Sequence, residues 1–303
     1  MTSILLFGYA ALLAVPVAWL LRRATWTSRA PALGVIAWHV LSASVLLAIL
    51  FGAFAAIPNA GGDHDEHNHL AVAEACLVAV VFLVVVGAIL GKALVSYVRD
   101  DSAQRRRHRH LLHLVGRADT QLDAVLVDHA SAAAYCVPGR SRRVVLTTAA
   151  LTVLDEAQLA AVLAHEQAHL RGRHHLALAA GRVLRLAFPW VPAFRWAQDE
   201  VARLVELIAD DAAARHCDRR DLARALVALA ADSRSVVPAT AFAAGGPAVA
   251  VRVKRLLGSA RPLGGRAVAV CLLAFLLLLA VPMLAVSPAL AGAGDVLSHC
   301  PFV

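Results

Sequence analysis

Four long runs of apolar residues divide the chain, and each is long enough to cross a lipid bilayer. They cover Ile4–Leu21, Ala32–Ile57, Ala71–Leu90 and Ala267–Leu290. A transmembrane helix needs about 20 predominantly apolar residues. The pattern therefore predicts three spans in residues 1–90, a more polar domain in 91–266, and a fourth span with a short tail in 267–303.

The central domain mixes β-rich runs with helical periodicity. Ala124–Val127 predicts one strand, and the runs 133–137 and 143–148 flank a Pro-Gly turn and predict a hairpin. An alanine-rich helix follows. The predicted fold is a mainly α integral membrane protein, with about four transmembrane helices and an α+β domain that carries a small sheet.

Charged residues around the spans predict their orientation. Lys and Arg cluster after the first span, after the third and before the fourth, whereas Asn59–His69 has carboxylates and neither Lys nor Arg. Because basic flanks stay in the cytoplasm, we expect the N-terminus outside and the domain 91–266 inside. Composition agrees, since 60% of the residues are hydrophobic and 17% are charged. The expected location is the plasma membrane, as a multi-pass protein.

The formal net charge of +8 follows from these basic flanks. They are expected to contact anionic lipid headgroups, so the bilayer is one predicted partner. Nucleic-acid binding is the competing interpretation of the run Arg105–Arg109, but the run lies close behind a span and we expect no nucleic acid. In the outer segment 61–69, rich in His and carboxylates, a solvated loop and a metal-binding loop are both open interpretations. The five cysteines form no C-x-x-C pair and predict no disulfide framework.

One short stretch carries the clearest chemistry. It reads L-A-H-E-Q-A-H-L, an H-E-x-x-H motif within an apolar run. Asp155 is expected to cap the helix that contains it, and Gly172 to end that helix. Residues four apart share a helix face, so His165 and His169 can offer two imidazoles to one metal ion, with Glu166 beside them.

A catalytic zinc site needs a third protein ligand and an open position for water. The next strong amphipathic helix contains E-L-I-A-D, which places Glu206 and Asp210 on one face. Glu206 is the expected third ligand, and Asp210 is expected to hydrogen-bond a ligand imidazole. Glu166 would take a proton from a water whose pKa the zinc lowers towards ~7, and the hydroxide would attack a peptide carbonyl.

Together, H-E-Q-A-H and E-L-I-A-D, bracketed by spans, resemble the membrane-embedded zinc metallopeptidases of the gluzincin group. Two branches are similar: the beta-lactam sensor-transducer receptor (BlaR/MecR-like) peptidases, and the HtpX-like and CAAX-prenyl-protease-like peptidases. The runs 144–148 and 161–165 also resemble the strand-loop-helix segment before the motif in both branches. The resemblance implies a gluzincin domain, Zn²⁺, endopeptidase activity, metal ligands His165, His169 and Glu206, and Glu166 as the catalytic acid/base.

The sensor-transducer branch typically carries an extracellular penicillin-binding domain. This sequence has no S-x-x-K serine motif, so we do not expect it to sense beta-lactams by itself. We predict a zinc-dependent endopeptidase that cleaves a protein or peptide at the cytoplasmic membrane face, in regulatory proteolysis or on a damaged membrane protein. A non-catalytic receptor or scaffold that keeps the zinc-binding fold is the main alternative. A metal transporter is disfavoured because the spans lack charged residues near their middle.

Two features of substrate binding are less defined by the sequence. An extended peptide is expected to lie against a sheet edge, for which the strand Arg143–Thr148 is the candidate. Four residues are candidates for stabilising the oxyanion, and their spacing in the sequence favours none of them: Tyr135, His174, Arg215 and His216.

Overall fold

The protein is described here from a computed structural model. It describes residues 1–56, 66–138, 143–233, 239–258 and 262–298, without the side chains of 66–73, 75, 233, 239–247 and 288–298. Most of the outer His-rich segment, the turn of the predicted hairpin at 139–142, and Cys300 therefore lie outside the described residues.

Helices dominate the chain, and a small sheet lies near its centre. The first helices are α1 (Thr2–Leu12), a π-helical segment (Leu13–Val17), α2 (Ala18–Arg23), α3 (Trp26–Arg29), α4 (Pro31–Phe54) and α5 (Glu66–Val115). The strands are β1 (Gly116–Asp119), β2 (Ala124–Val127), β3 (Ala134–Val137) and β4 (Arg143–Thr147). The later helices are α6 (Thr148–Val153), α7 (Glu156–Arg171), α8 (His174–Ala187), α9 (Pro192–Ala213), α10 (Arg219–Ser233), α11 (Ala239–Leu257) and α12 (Gly265–Ser298).

Within the described residues, four helical stretches are long and apolar enough to cross a membrane. They are Thr2–Arg23, Pro31–Phe54, Cys76–Val115 and Gly265–Ser287. The predicted number of spans is therefore confirmed by length and composition. Large apolar side chains such as Val78 and Leu284 are 68% and 70% exposed on these helices, and such continuous apolar surface is what lipid covers. The third span continues without a break into the basic part of α5.

The second span, α4, anchors the rest of the helical bundle. Its Trp38 and Val45 are fully buried in one core with Phe194 and Leu204 of α9. A Cβ added at Gly34 would lie 2.9 Å from Cδ1 of Leu204, so a larger residue would displace the Leu204 side chain where the two helices approach. The helix that carries Glu206 is thus fixed directly to a span.

The sheet has the strand order β1-β2-β4-β3. β2 and β4 run parallel, and each outer strand is antiparallel to its neighbour. The antiparallel pairing of β3 with β4 confirms the predicted hairpin. Helix α7 covers one face of the sheet through Leu163 and Leu170, and Leu112 of α5 packs on the other.

The expectation that Arg143–Thr148 forms the open edge is wrong. β4 lies between β2 and β3, and its Val145 and Leu146 are fully buried on opposite faces of the sheet. The reason is the parallel pairing of β2 with β4, which local sequence patterns do not reveal. The edge strand beside α7 is β3.

The start of α7 offers a test of its local stability. Oδ1 of Asp155 accepts the Gln158 N–H at 2.8 Å, and the Gln158 side chain accepts the Asp155 N–H at 3.4 Å, as in a capping box. We expect Asp155→Ala to lower the free energy of unfolding by about 1 kcal/mol, measured by unfolding in detergent. Asp199→Ala is the control, because Asp199 forms only an exposed 3.6 Å pair with Arg185. Equal losses in the two variants would contradict the cap.

Candidate metal centre

Three side chains from two helices converge beside the sheet. His165 and His169 lie one turn apart on α7, and Glu206 reaches them from α9. Nε2 of His165 lies 3.1 Å from Nε2 of His169, and the Glu206 carboxylate oxygens lie 3.4 and 3.5 Å from these two nitrogens. The structure thus brings the three expected ligands together, and the cluster could hold a metal ion.

The spacing of these donor atoms fits a tetrahedral zinc site. With bonds of about 2.0–2.1 Å, ligand atoms around tetrahedral zinc are roughly 3.3–3.4 Å apart. The distances of 3.1, 3.4 and 3.5 Å in the protein are close to that value. Two imidazoles and one carboxylate are also a donor set of catalytic zinc sites, which keep a fourth position for water.

Asp210 is a fully buried carboxylate behind His165. Its Oδ1 lies 3.1 Å from Nδ1 of His165, an ion-pair distance without the alignment of a hydrogen bond. Both Asp210 oxygens accept from Arg252, from Nη2 at 2.7 Å and from Nε at 2.9 Å. Burial by itself would raise the pKa of Asp210, but Arg252 and His165 together hold it below its usual range. The ionised carboxylate favours a proton on Nδ1 of His165, which leaves Nε2 free to bind a metal.

Arg252 is a site residue that sequence reasoning missed. It lies on α11, in the basic flank of the fourth span, yet its side chain is only 14% exposed. Nη1 lies 3.0 Å from Oε2 of Glu206, and Nη2 lies 3.4 Å from Nε2 of His165. A bound metal would use the lone pair on Nε2 of His165, so Arg252 would lose that contact. Its two hydrogen bonds to Asp210 would still hold the guanidinium in place.

A signal for Arg252 does exist in the sequence. Arg252 and Arg255 are one turn apart on α11, and they pair with the adjacent Asp210 and Asp211 of α9. Each arginine of the R-x-x-R pattern thus has one aspartate of the Asp-Asp pair as its partner. That match has meaning only once α9 and α11 are known to be neighbours.

A third histidine, His174, supports His169 from behind. Its Nδ1 lies 3.0 Å from Nδ1 of His169, so one of these atoms donates and the other accepts. The chain returns to this place because Arg173 adopts a left-handed conformation with φ 48°. A Cβ on Gly172 would lie 2.7 Å from Cδ2 of His174, so glycine makes room for the ring. If His169 binds a metal through Nε2, its Nδ1–H donates to His174.

The four residues that the sequence offers as oxyanion stabilisers make other contacts in the structure. Tyr135 is on β3 and contacts the ring of His108, with the two centroids 5.3 Å apart. Arg215 and His216 are exposed just beyond the end of α9. His174 contacts His169 rather than the open side of the cluster.

Glu166 lies on α7 where that helix faces β3, and its carboxylate interacts electrostatically with the thiol of Cys136. Burial raises the pKa of Glu166 to about 7; nearby His165 opposes this increase and Glu206 adds to it. Burial, together with the Glu166 charge, raises the pKa of Cys136 to about 12, so the thiol stays protonated. A carboxylate with a pKa near neutrality can both accept and return a proton, and a bound divalent cation would lower that pKa again.

The comparisons with known proteins agree with this geometry. The model of peptidase family M48 matches residues 100–199, which include the sheet and the H-E-x-x-H helix but end before Glu206. Searches of curated proteins and of solved structures each gave no significant match. The chain therefore carries a domain of peptidase family M48, a family of zinc metallopeptidases. The resemblance to membrane-embedded metallopeptidases is confirmed by this match together with the four apolar helices.

The adjacent carboxylates of α9 provide a matched test of the metal centre. We expect Asp210→Asn to lower zinc affinity ten- to a hundredfold, because it loses the charge that orients His165. Asp211→Asn is the control, since Asp211 pairs with Arg255 at 2.6 and 2.7 Å and does not contact the cluster. Competition titration with a zinc chelator in detergent measures both affinities. An unchanged affinity in Asp210→Asn would refute the orienting role.

Proposed function

We propose that the protein is a zinc-dependent endopeptidase of the plasma membrane, with its catalytic domain on the cytoplasmic side. The observation that carries this proposal is the set of three ligand atoms at tetrahedral spacing, with Glu166 beside them, in a domain of peptidase family M48. The four apolar helices and their basic flanks support the membrane and the cytoplasmic side. The substrate is a protein or peptide, cut in regulatory proteolysis or in the removal of a damaged membrane protein.

Each site residue has a role in this proposal. His165, His169 and Glu206 hold the zinc, which when bound polarises the substrate carbonyl and lowers the pKa of a water. Glu166 accepts the proton of the attacking water at a carboxylate oxygen and passes it to the leaving amine. Among the described residues, Arg252 is the Lys or Arg nearest the ligands, 3.0 Å from Glu206, so we assign to it the stabilisation of the developing oxyanion.

The edge strand β3 supplies a place for the substrate backbone. The Thr147 N–H donates to the carbonyl of Ala133 at 3.0 Å, so residues 133, 135 and 137 direct their backbone groups towards β4. Backbone direction alternates along an antiparallel strand, and Cys136 therefore points its N–H and C=O away from the sheet. An extended peptide can pair with these groups by strand addition, next to Glu166.

The central test is the loss of the proposed general base. We expect Glu166→Gln to lower the rate of casein cleavage by about 10²–10⁴-fold while the protein still binds one zinc, because the amide cannot take the proton. Glu156→Gln, at the exposed start of the same helix, serves as the control. Purified protein in detergent is assayed for cleavage and for bound zinc.

Two outcomes would contradict this assignment in different ways. Full zinc occupancy with equal cleavage by wild type and Glu166→Gln would favour the non-catalytic scaffold that keeps the fold. If the protein contains no zinc even after incubation with the metal, both the endopeptidase hypothesis and the zinc-binding scaffold hypothesis are excluded.

The role of β3 is tested by removing one backbone donor. Cys136→Pro deletes the outward N–H, which the β3–β4 ladder does not use, so the sheet should still form. We expect kcat/KM to fall roughly fivefold relative to Cys136→Ala, which removes the same thiol but keeps the N–H. Equal kcat/KM values for the proline and alanine variants would refute substrate pairing at this position.

A further inference from the structure

A groove of about 410 Å³ lies between the edge strand β3 and helix α5. One wall is the strand edge at residues 135–138, which includes Cys136 beside Glu166. The opposite wall is a face of α5 that carries Gln104, Arg105, Arg107 and His108. The groove is therefore continuous with the proposed path of the substrate backbone.

The groove offers donors and one unneutralised positive charge. Its carboxylate, Asp101, is paired with Nε of Arg105 at 2.7 Å, and Arg105 also donates to the Pro138 carbonyl at 3.4 Å. Arg107 is exposed and has no ion pair among the described residues. Nε2 of His108 is buried and has no hydrogen-bond partner among the described residues.

A second arginine, on α8, lines a cavity next to the groove. Arg107 also lines an adjoining cavity of about 450 Å³, where Arg182 of α8 joins it together with Asp100 and Tyr97. Two guanidinium groups and two carboxylates, Asp100 and Asp101, thus line this cavity. Because Arg105 already neutralises Asp101, the remaining charges are Arg107, Arg182 and Asp100, and this cationic excess favours an anionic ligand.

The geometry of the strand determines which substrate side chains face the α5 wall of the groove. On β3, Tyr135 and Val137 pack on the α5 side of the sheet, whereas Cys136 packs on the α7 side. A peptide added to β3 repeats this alternation, so every second side chain faces α5 and the others face the metal centre. A side chain on the α5 side comes within reach of Gln104, Arg107 and His108.

We propose that the groove between β3 and α5 selects substrates with an Asp or Glu side chain on alternate positions next to the cleaved bond. This inference rests on the proposed endopeptidase function. A charged carboxylate would pair with Arg107, on the same wall as the buried, unpartnered Nε2 of His108. An acidic segment also suits a membrane protein whose basic flanks repel cationic chains. The peptide is favoured over a lipid headgroup because the edge of β3 lines the groove and its Cys136 interacts with Glu166.

The test uses the full chain, loaded with zinc in detergent. A library of unstructured peptides is digested and the cleavage sites are identified by mass spectrometry. We expect Asp and Glu to be enriched over Asn and Gln by about fivefold at one or two alternate positions, the scale of one partly exposed ion pair. Arg107→Glu should abolish this enrichment or turn it in favour of Lys and Arg.

Arg106→Glu is the matched control. Arg106 is the exposed neighbour of Arg107, contacts only Ser102 in the described structure, and does not line the groove. The variant changes the net charge by the same amount and should keep the acidic preference. Cleavage without acidic preference, or an equal change in both variants, would overturn the groove proposal and leave the endopeptidase intact.

A binding measurement separates the two proposals. Fluorescein-labelled eight-residue peptides that differ by one central Glu, Gln or Lys are titrated by anisotropy against Glu166→Gln. Preferential binding of the Glu peptide that is lost in Glu166→Gln/Arg107→Glu supports the groove even if wild type cleaves nothing, which would overturn the endopeptidase alone. If phosphatidylglycerol vesicles displace the Glu peptide and phosphatidylcholine vesicles do not, a lipid headgroup occupies the groove and the peptide proposal is overturned.

Discussion

The buried carboxylate of Asp210 is the interaction on which the site depends most. An ionised group without exposure is costly unless every lone pair is matched, and removing one partner of such a pair typically costs about 3–5 kcal/mol. Asp210 meets this requirement with two hydrogen bonds from Arg252 of α11 and an ion-pair contact with His165 of α7. Three helices that are distant in sequence are therefore fixed to one another at a single point.

A second pair strengthens this arrangement. Arg255 donates to Asp211 with two nitrogens and also to the carbonyl of Ser28. Because the two Asp–Arg pairs lie one turn apart on α11, the register between α9 and α11 is determined. The direction of Arg252 at the metal centre is then a consequence of helix packing and not of a loop.

Helix α9 also couples the centre to the membrane spans. Its apolar face is buried against α4 through Phe194 and Leu204, and its polar end carries Glu206. The other two ligands come from α7, which packs both on the sheet and directly on α9. The contact between α7 and α9 therefore holds the three ligands together, and α4 in turn supports α9 through Phe194 and Leu204. The metal geometry depends on the correct packing of the spans, although no ligand lies in one.

The features that could be predicted from the sequence are local ones. The four spans, the capped H-E-x-x-H helix and the β3–β4 hairpin each follow from hydrophobic period or turn residues within one segment. The position of β4 inside the sheet depends on its parallel pairing with β2. Arg252 lies 42 residues from Asp210, and its R-x-x-R spacing with Arg255 acquires meaning only once α9 and α11 are known to be neighbours. Long-range contacts of this kind are determined by packing, and a single sequence does not show them.

The shape of the edge strand limits what the site can cleave. β3 has four residues, and its far end is held by Arg105 at the Pro138 carbonyl. A short edge of this kind is protected from pairing with other sheets and still leaves Cys136 open to one strand. With the proposed strand addition, a substrate would present a few extended residues between α5 and α7, so a folded segment would have to open first. The sequence that a protein exposes on local unfolding, rather than its surface when folded, would then decide whether it is cut.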